Sequence, residues 1–253
     1  MVQDIRDLVK DKKVVFVGNS VEIMNYKLAE FIDKFDIIVH FGKAMLATPE
    51  QRESLGSRTD IWITGTFRML IYNQIRDKFL NGDYANTKIL MNRSRANIIE
   101  LDGKRFEDEI PKGMPYSNMF SDEECVELLK EFGIKPTDNY RFSAGFWSIL
   151  YFLRKVKTHK SLDLIGFDFF AKTTNKRRYD SPCDPHSWHL PIYIKPRSAH
   201  DSRLEQDYVS QLAHKDKLNW HVLTDLKEEC IEYNDWLEDS NFDPNAKIRK
   251  RKS

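Results

Sequence analysis

Lys13-Val14-Val15-Phe16-Val17, followed at once by Gly18-Asn19-Ser20, is the stretch on which the reading of the fold turns. A short continuous apolar run bounded by a polar turn is the pattern of a strand covered on both faces, as parallel sheets require. The pattern recurs at Asp36-Ile37-Ile38-Val39-His40, Asp60-Ile61-Trp62-Ile63-Thr64, Thr87-Lys88-Ile89-Leu90-Met91 and Leu162-Asp163-Leu164-Ile165-Gly166. Helical segments alternate with these runs. Asp4–Asp11 reads as a short helix and a second helix reaches Asp33. Thr48-Pro49-Glu50 gives an N-cap with Pro at the first helical position and Gly56 a stop. A long helix is expected over Phe67–Leu80. Ser121-Asp122-Glu123-Glu124 is a capping box opening a helix to Gly133. Ser143–Lys157 carries a helical stripe at Phe146, Ile149, Leu150, Leu153 and Val156. Asp201–His214 reads as helix, Asn219–Leu223 as a closing strand and Asp225–Leu237 as a last helix. Residues 92–120 receive no assignment, and Phe167–Ala199 reads as a long polar loop. Alternating strands and helices predict one α/β domain over residues 1–238, Rossmann-like, with a mostly parallel sheet flanked by helices. Residues 239–253 form a polar tail ending in basic residues.

Composition narrows the classes. The chain has 253 residues, 41% of them apolar and 31% charged, which is a globular balance. Forty Lys and Arg stand against 39 Asp and Glu, so bulk charge announces no polyanionic partner. Cys125, Cys183 and Cys230 are sparse and contain no C-x-x-C pair, which suits a reducing compartment. Met1–Lys13 lacks the apolar core of a signal peptide, and no segment approaches the ~20 apolar residues of a membrane span. The expected location is the cytoplasm.

Three segments carry candidate chemistry. Gly18-Asn19-Ser20 follows the first strand, where open α/β sheets hold ligands. It reads either as a nucleotide seat or as an ordinary turn, and neither G-x-G-x-x-G nor the Walker A pattern is present. Phe142-Ser143-Ala144-Gly145 opens the striped helix, whose free N–H groups suit a phosphate, although Ser143 serves equally as a plain N-cap. His200-Asp201-Ser202-Arg203-Leu204-Glu205 places a histidine at a loop–helix junction, suited to general-base work near neutral pH; most surface histidines have no such role. Cys183-x-x-His186-x-x-His189 lacks a fourth ligand and includes Pro185, so no zinc site is expected.

In order and spacing these segments resemble the sialyltransferase family. Val14–Thr59 is similar to the family's long donor motif, through Gly18-Asn19-Ser20, Ile32-Asp33, Asp36–Val39 and Gly56-Ser57-Arg58-Thr59. Phe142–Phe167 resembles the short motif, with Ser143-x-Gly145 and the closing Gly166-Phe167. His200-x-x-x-x-Glu205 resembles the very short motif, and Arg177-Arg178-Tyr179-Asp180 the second half of the aromatic third motif. The resemblance spans most of residues 13–206. It implies a GT-A-variant, sialyltransferase-like fold and inverting transfer from a CMP- or UDP-linked sugar, with no metal and no other cofactor. Gly18, Asn19 and Ser20 would hold the nucleotide and Ser143, Ala144 and Gly145 its phosphate. His200 would be the base. Glu205, Arg178, Tyr179, Asp180 and His189 are the supporting or acceptor-side candidates. Three departures stand out. His40-Phe41-Gly42 occupies the place of a second nucleotide-contacting Asn, the bridging cysteines are missing, and Arg177 replaces a His.

The acceptor is read from local charge. Arg93 and Arg95, Lys172 to Arg178, Lys195 and Arg197, and Lys247 to Lys252 form basic clusters, with Trp188 and Tyr193 interleaved. Such mixtures grip unstacked bases, though most basic loops are simply solvated. A hydroxylated or otherwise modified base in DNA, as a bacteriophage enzyme would use, is the favoured acceptor. A bacterial surface glycan or its lipid-linked precursor is the alternative. A catalytically silent nucleotide- or nucleic-acid-binding module is the reading from a different class.

Overall fold

The computed structural model describes residues 4–42, 44, 47–64, 87–91, 116–135, 142–167 and 202–226. The opening apolar run forms β1 (Lys13–Val17), with Val14 through Val17 wholly excluded from solvent. β2 (Ile37–Phe41) and β6 (Ser161–Ile165) flank it in parallel, pairing Val17 with His40 on one side and with Ile165 on the other. Outward from β2 lie β3 (Ile61–Thr64), β4 (Lys88–Met91) and β5 (Tyr116–Asn118). Outside β6 lies β7 (Asn219–His221). The strand order is β5-β4-β3-β2-β1-β6-β7, and every pairing is parallel.

Strand alternation divides the core in two. Val14, Phe16, Val39, Phe41, Leu162 and Leu164 face one layer of helices. Val15, Val17, Ile38 and Ile165 face the other. The first layer holds α1 (Ile5–Leu8), α4 (Asp122–Glu131), α5 (Ala144–Tyr151) and α6 (Ser202–His214). The second holds a 3₁₀ turn (Val21–Asn25), α2 (Ala29–Ile32), α3 (Pro49–Leu55) and α7 (Leu223–Leu226). The predicted capping box of Ser121 with Glu124 forms, and the predicted N-cap Thr48 makes a full box of its own with Gln51. These bonds satisfy backbone N–H groups that a helix start leaves without partners.

Several elements differ from expectation. α1 covers only Ile5–Leu8, with Asp4 as its cap. The helix expected to reach Asp33 is two pieces, because Tyr26 is extended and ends the 3₁₀ turn. The stripe over 143–157 is α-helical to Tyr151, then runs as a π-helix from Phe152 to Val156 and stops at left-handed Lys157. Its burial is also wider than a stripe, since Trp147, Tyr151 and Phe152 are buried beside Phe146, Ile149 and Leu150. β5 lies inside the unassigned stretch 92–120. The helix expected over 67–80, the loop from 168 and the tail lie outside the described residues.

The β6–β7 edge is locked by a buried acid. Asp163 accepts from Ser161 Oγ (2.8 Å) and Asn219 Nδ2 (2.9 Å), and pairs with His221 Nε2 at 2.8 Å. Burial pushes its carboxyl upward, but the bonds from His221, Ser161 and Asn219 outweigh burial and hold it below the ordinary value.

Candidate functional site

The chain leaves β1 toward β2 and later returns on the opposite side of β1 as β6. The strand order therefore reverses between β1 and β6, and the carboxyl end of such a reversal is where open α/β sheets form a ligand crevice. The two loops that meet there are Gly18-Asn19-Ser20 and Gly166-Phe167. Gly18 N–H donates to the Ile165 carbonyl at 2.7 Å, and Ser20 N–H to the Gly166 carbonyl at 3.2 Å. The approach is close enough to require glycine on both sides. A Cβ at Gly18 would fall on the Gly166 carbonyl. Gly166 has φ +69, and a Cβ there would meet Ile23 Cδ1 at 2.8 Å.

Aromatic rings floor this edge. Phe41 stands edge-to-face with Phe16 and with Phe167, both at 5.7 Å between centroids. Phe167 also covers Gly145, where a Cβ would come within 2.6 Å of the ring. The Phe167 carbonyl in turn accepts from Trp220 Nε1 at 3.2 Å. The first turn of α5 is thereby set against the end of β6.

Asn19 carries the most telling atom of the site. Its Nδ2 donates to the Phe41 carbonyl at 3.3 Å, while its Oδ1 is buried without a hydrogen-bond partner among the described residues. Leaving a buried acceptor unmet costs about 1–3 kcal/mol, so an acceptor at a crevice invites a donor from a ligand. Ser20 behaves differently. It is buried, and its hydroxyl accepts from Glu22 N–H at 3.3 Å, capping the 3₁₀ turn.

At the start of α5, Ser143 Oγ accepts from Phe146 N–H at 3.1 Å, so it is the N-cap. Its hydroxyl donates to Glu205 Oε2 at 2.6 Å, and its amide donates to Glu205 Oε1 at 2.7 Å. Glu205, on α6, is wholly buried. Both polar groups of Ser143 are thus engaged, and the helix start offers the amides of Ala144 and Gly145, which precede the first intrahelical bond. The structure brings Gly18, Asn19, Ser20, Ser143, Ala144, Gly145 and Glu205 to the β1–β6 end of the sheet and the helices over it. His200, Arg178, Tyr179, Asp180 and His189 lie outside the described residues.

His40, noted only as a departure, has a structural task. Its Nε2 bonds the Leu55 carbonyl and its Nδ1 the Thr59 hydroxyl, both at 2.9 Å. Burial, helped by the charge of Arg52, pushes its pKa down to about 3, so the ring is neutral. A histidine inside an otherwise apolar run was the signal available in the sequence. Among the described residues no cluster of three or more His, Cys, Asp or Glu is placed to hold a metal. Nor is any helix among them long and apolar enough to cross a membrane.

An all-parallel open sheet with its order reversed at β1 and β6 belongs to the doubly wound α/β class. Neither a protein-family model nor a curated protein matches the chain. Solved structures do match. One is the sialyltransferase CstII from Campylobacter jejuni in complex with the substrate analogue CMP-3FNeuAc, 17% identical, with a TM-score of 0.52 over 87% of this chain and 85% of that one. CstII in complex with cytidine-5'-monophosphate is 16% identical, with a TM-score of 0.53 over 84% and 79%. The fold is that of the sialyltransferases, as the sequence motifs implied.

Proposed function

We propose that the chain is a glycosyltransferase that moves a sugar from a pyrimidine nucleotide donor to an acceptor hydroxyl. The observation that carries this reading is the buried Oδ1 of Asn19 at the β1–β6 crevice, unmet among the described residues. The fold supports it, because CstII is described in complex with CMP and with a CMP-sugar analogue. The amides of Ala144 and Gly145 would face the donor phosphate, and the positive end of the α5 dipole would favour it. Glu205 already takes part of that field, so the site would suit a single phosphate ester better than a dense polyphosphate. Transfer would invert the anomeric carbon, with His200 as base and with no metal.

CMP or UMP is expected to raise the melting temperature. A ligand present at ~100 times its Kd adds about 2.7 kcal/mol, which is several degrees for a domain of this size. The shift should be the same in EDTA and in manganese. Protection by NAD or S-adenosylmethionine with none from pyrimidine nucleotides would remove the donor assignment. Protection seen only with manganese would remove the metal-free one.

For the acceptor we propose a hydroxylated base in DNA, on the strength of the basic residues between Lys172 and Arg197 that precede His200 in the chain. Binding of such DNA should weaken steeply between 50 and 200 mM salt, a range over which ~6 or more phosphate contacts cost about a thousandfold. Deleting residues 247–253 should flatten the slope. Affinity that ignores salt points instead to an uncharged glycan.

A further inference from the structure

Beyond β2, Gly42 lies beside Asn19 and Ala44 follows it, a short wall along this edge whose carbonyls, with that of Phe41, are held from three directions. Phe41 O accepts from Asn19 Nδ2 at 3.3 Å, and Gly42 O from Trp62 Nε1 of β3 at 2.8 Å. Ala44 O accepts from Arg52 of α3 at 3.2 Å and from the Ala47 amide at 3.2 Å. Gly42, at φ +51, makes the turn between the strand and this wall.

The direction of the Arg52 side chain follows from a buried relay. The Leu55 carbonyl accepts only, so His40 Nε2 carries the proton and Nδ1 is the acceptor. Nδ1 then takes its bond from the Thr59 hydroxyl at 2.9 Å. With its proton spent, Thr59 Oγ1 is left to accept, and it does so from Arg52 Nη1 at 3.3 Å. The second guanidinium nitrogen of Arg52 is thereby aimed at Ala44. A planar guanidinium anchored at one nitrogen presents the other in a fixed direction, which a lysine would not do.

We propose that Arg52 is a positioning residue which, oriented by Thr59 and His40, holds Ala44, and with it the wall beside Asn19, at the donor crevice. This assignment rests on the donor site proposed above. Arg52 touches neither donor nor acceptor; it acts through the Ala44 carbonyl. Its loss should loosen the wall and weaken donor binding while leaving the chemical step nearly as fast.

The test uses the full chain and three variants, Arg52→Met, Thr59→Val and Thr59→Ser, with CMP as the probe. Hydrogen exchange of the Ala47 amide in the free protein reads the hold on Ala44 directly, because that amide shares the same carbonyl. Arg52→Met and Thr59→Val should speed this exchange, raise the CMP Kd and the donor KM roughly tenfold, the worth of one charge-assisted bond, and change kcat less than twofold. Thr59→Ser keeps the hydroxyl and should restore wild-type behaviour in every readout. Wild-type exchange in Arg52→Met overturns the proposal, as does faster exchange with an unchanged CMP Kd. Unfolding of both Arg52→Met and Thr59→Val overturns it in favour of a purely structural role. A wild-type protein that binds neither CMP nor UMP overturns the donor reading and removes the wall's purpose, whatever the exchange shows.

Discussion

Replacing His200 by Ala is expected to lower the transfer rate by roughly 10²-fold or more, the usual scale for a general base, while CMP still binds. Inverting transfer requires the acceptor hydroxyl to lose its proton as it attacks the anomeric carbon. An unperturbed imidazole, with a pKa near ~6.5, is mostly neutral at pH 7 and accepts that proton. His200 lies two residues before α6, and α6 is fastened to the start of α5 through Glu205. As base, His200 would thereby be joined by a short stretch of chain to the helix that is fastened to the start of α5. In the wild type the rate should climb as pH rises through the imidazole range and then level. The Ala variant should lose that limb. Initial rates over pH 5 to 9 measure both effects. Near wild-type turnover in the Ala variant would take His200 out of the mechanism and leave Arg178, Asp180 and His189 to be tested.

The parts of the fold legible in the sequence are those where one local pattern admits one outcome. Four apolar residues in a row at Val14–Val17 are wholly buried, because both faces of a central parallel strand are covered. Thr48 and Ser121 carry their own capping partners three residues on, so those helix starts needed no tertiary information. β5 was not legible. Tyr116-Ser117-Asn118 has no apolar run, Ser117 and Asn118 are exposed at the sheet edge, and the strand is defined only by its pairing with β4. The pieces of the candidate site were readable as motifs, but their bonding was not. Ser143 and Glu205 are 62 residues apart, and nothing local says that one carboxylate will take both polar groups of that serine. His40, read as a lost nucleotide contact, instead faces α3, because alternation along β2 turns it away from Val39 and Phe41.

That Ser143–Glu205 contact sets the second large effect. Glu205 is buried with no exposure, and its two oxygens accept from the Ser143 amide and hydroxyl at 2.7 and 2.6 Å. Short bonds to a carboxylate are about twice as strong as neutral ones, and the positive end of α5 adds to the attraction. Glu205→Ala removes both acceptors at once. The Ser143 amide is then left buried without that partner, and the space vacated by the side chain is a cavity in the packing of α6 against α5. The expected cost is about 3–5 kcal/mol, or a fall in melting temperature of roughly 10 °C. Glu205→Gln is the informative companion. Its oxygen still accepts from the Ser143 amide, and its amide nitrogen donates to Ser143 Oγ, so only the hydroxyl proton loses its place. The cost should drop to about 1 kcal/mol. Function separates the two roles of this contact. In the Gln variant, CMP should bind with little change, because Ala144 and Gly145 keep their places on an intact helix. If α6 also sets the position of His200, kcat should fall in the Gln variant by more than its small loss of stability accounts for at 25 °C. An Ala variant that melts within ~2 °C of the wild type would mean that Ser143 finds other partners and that this contact does not fasten α6 to α5.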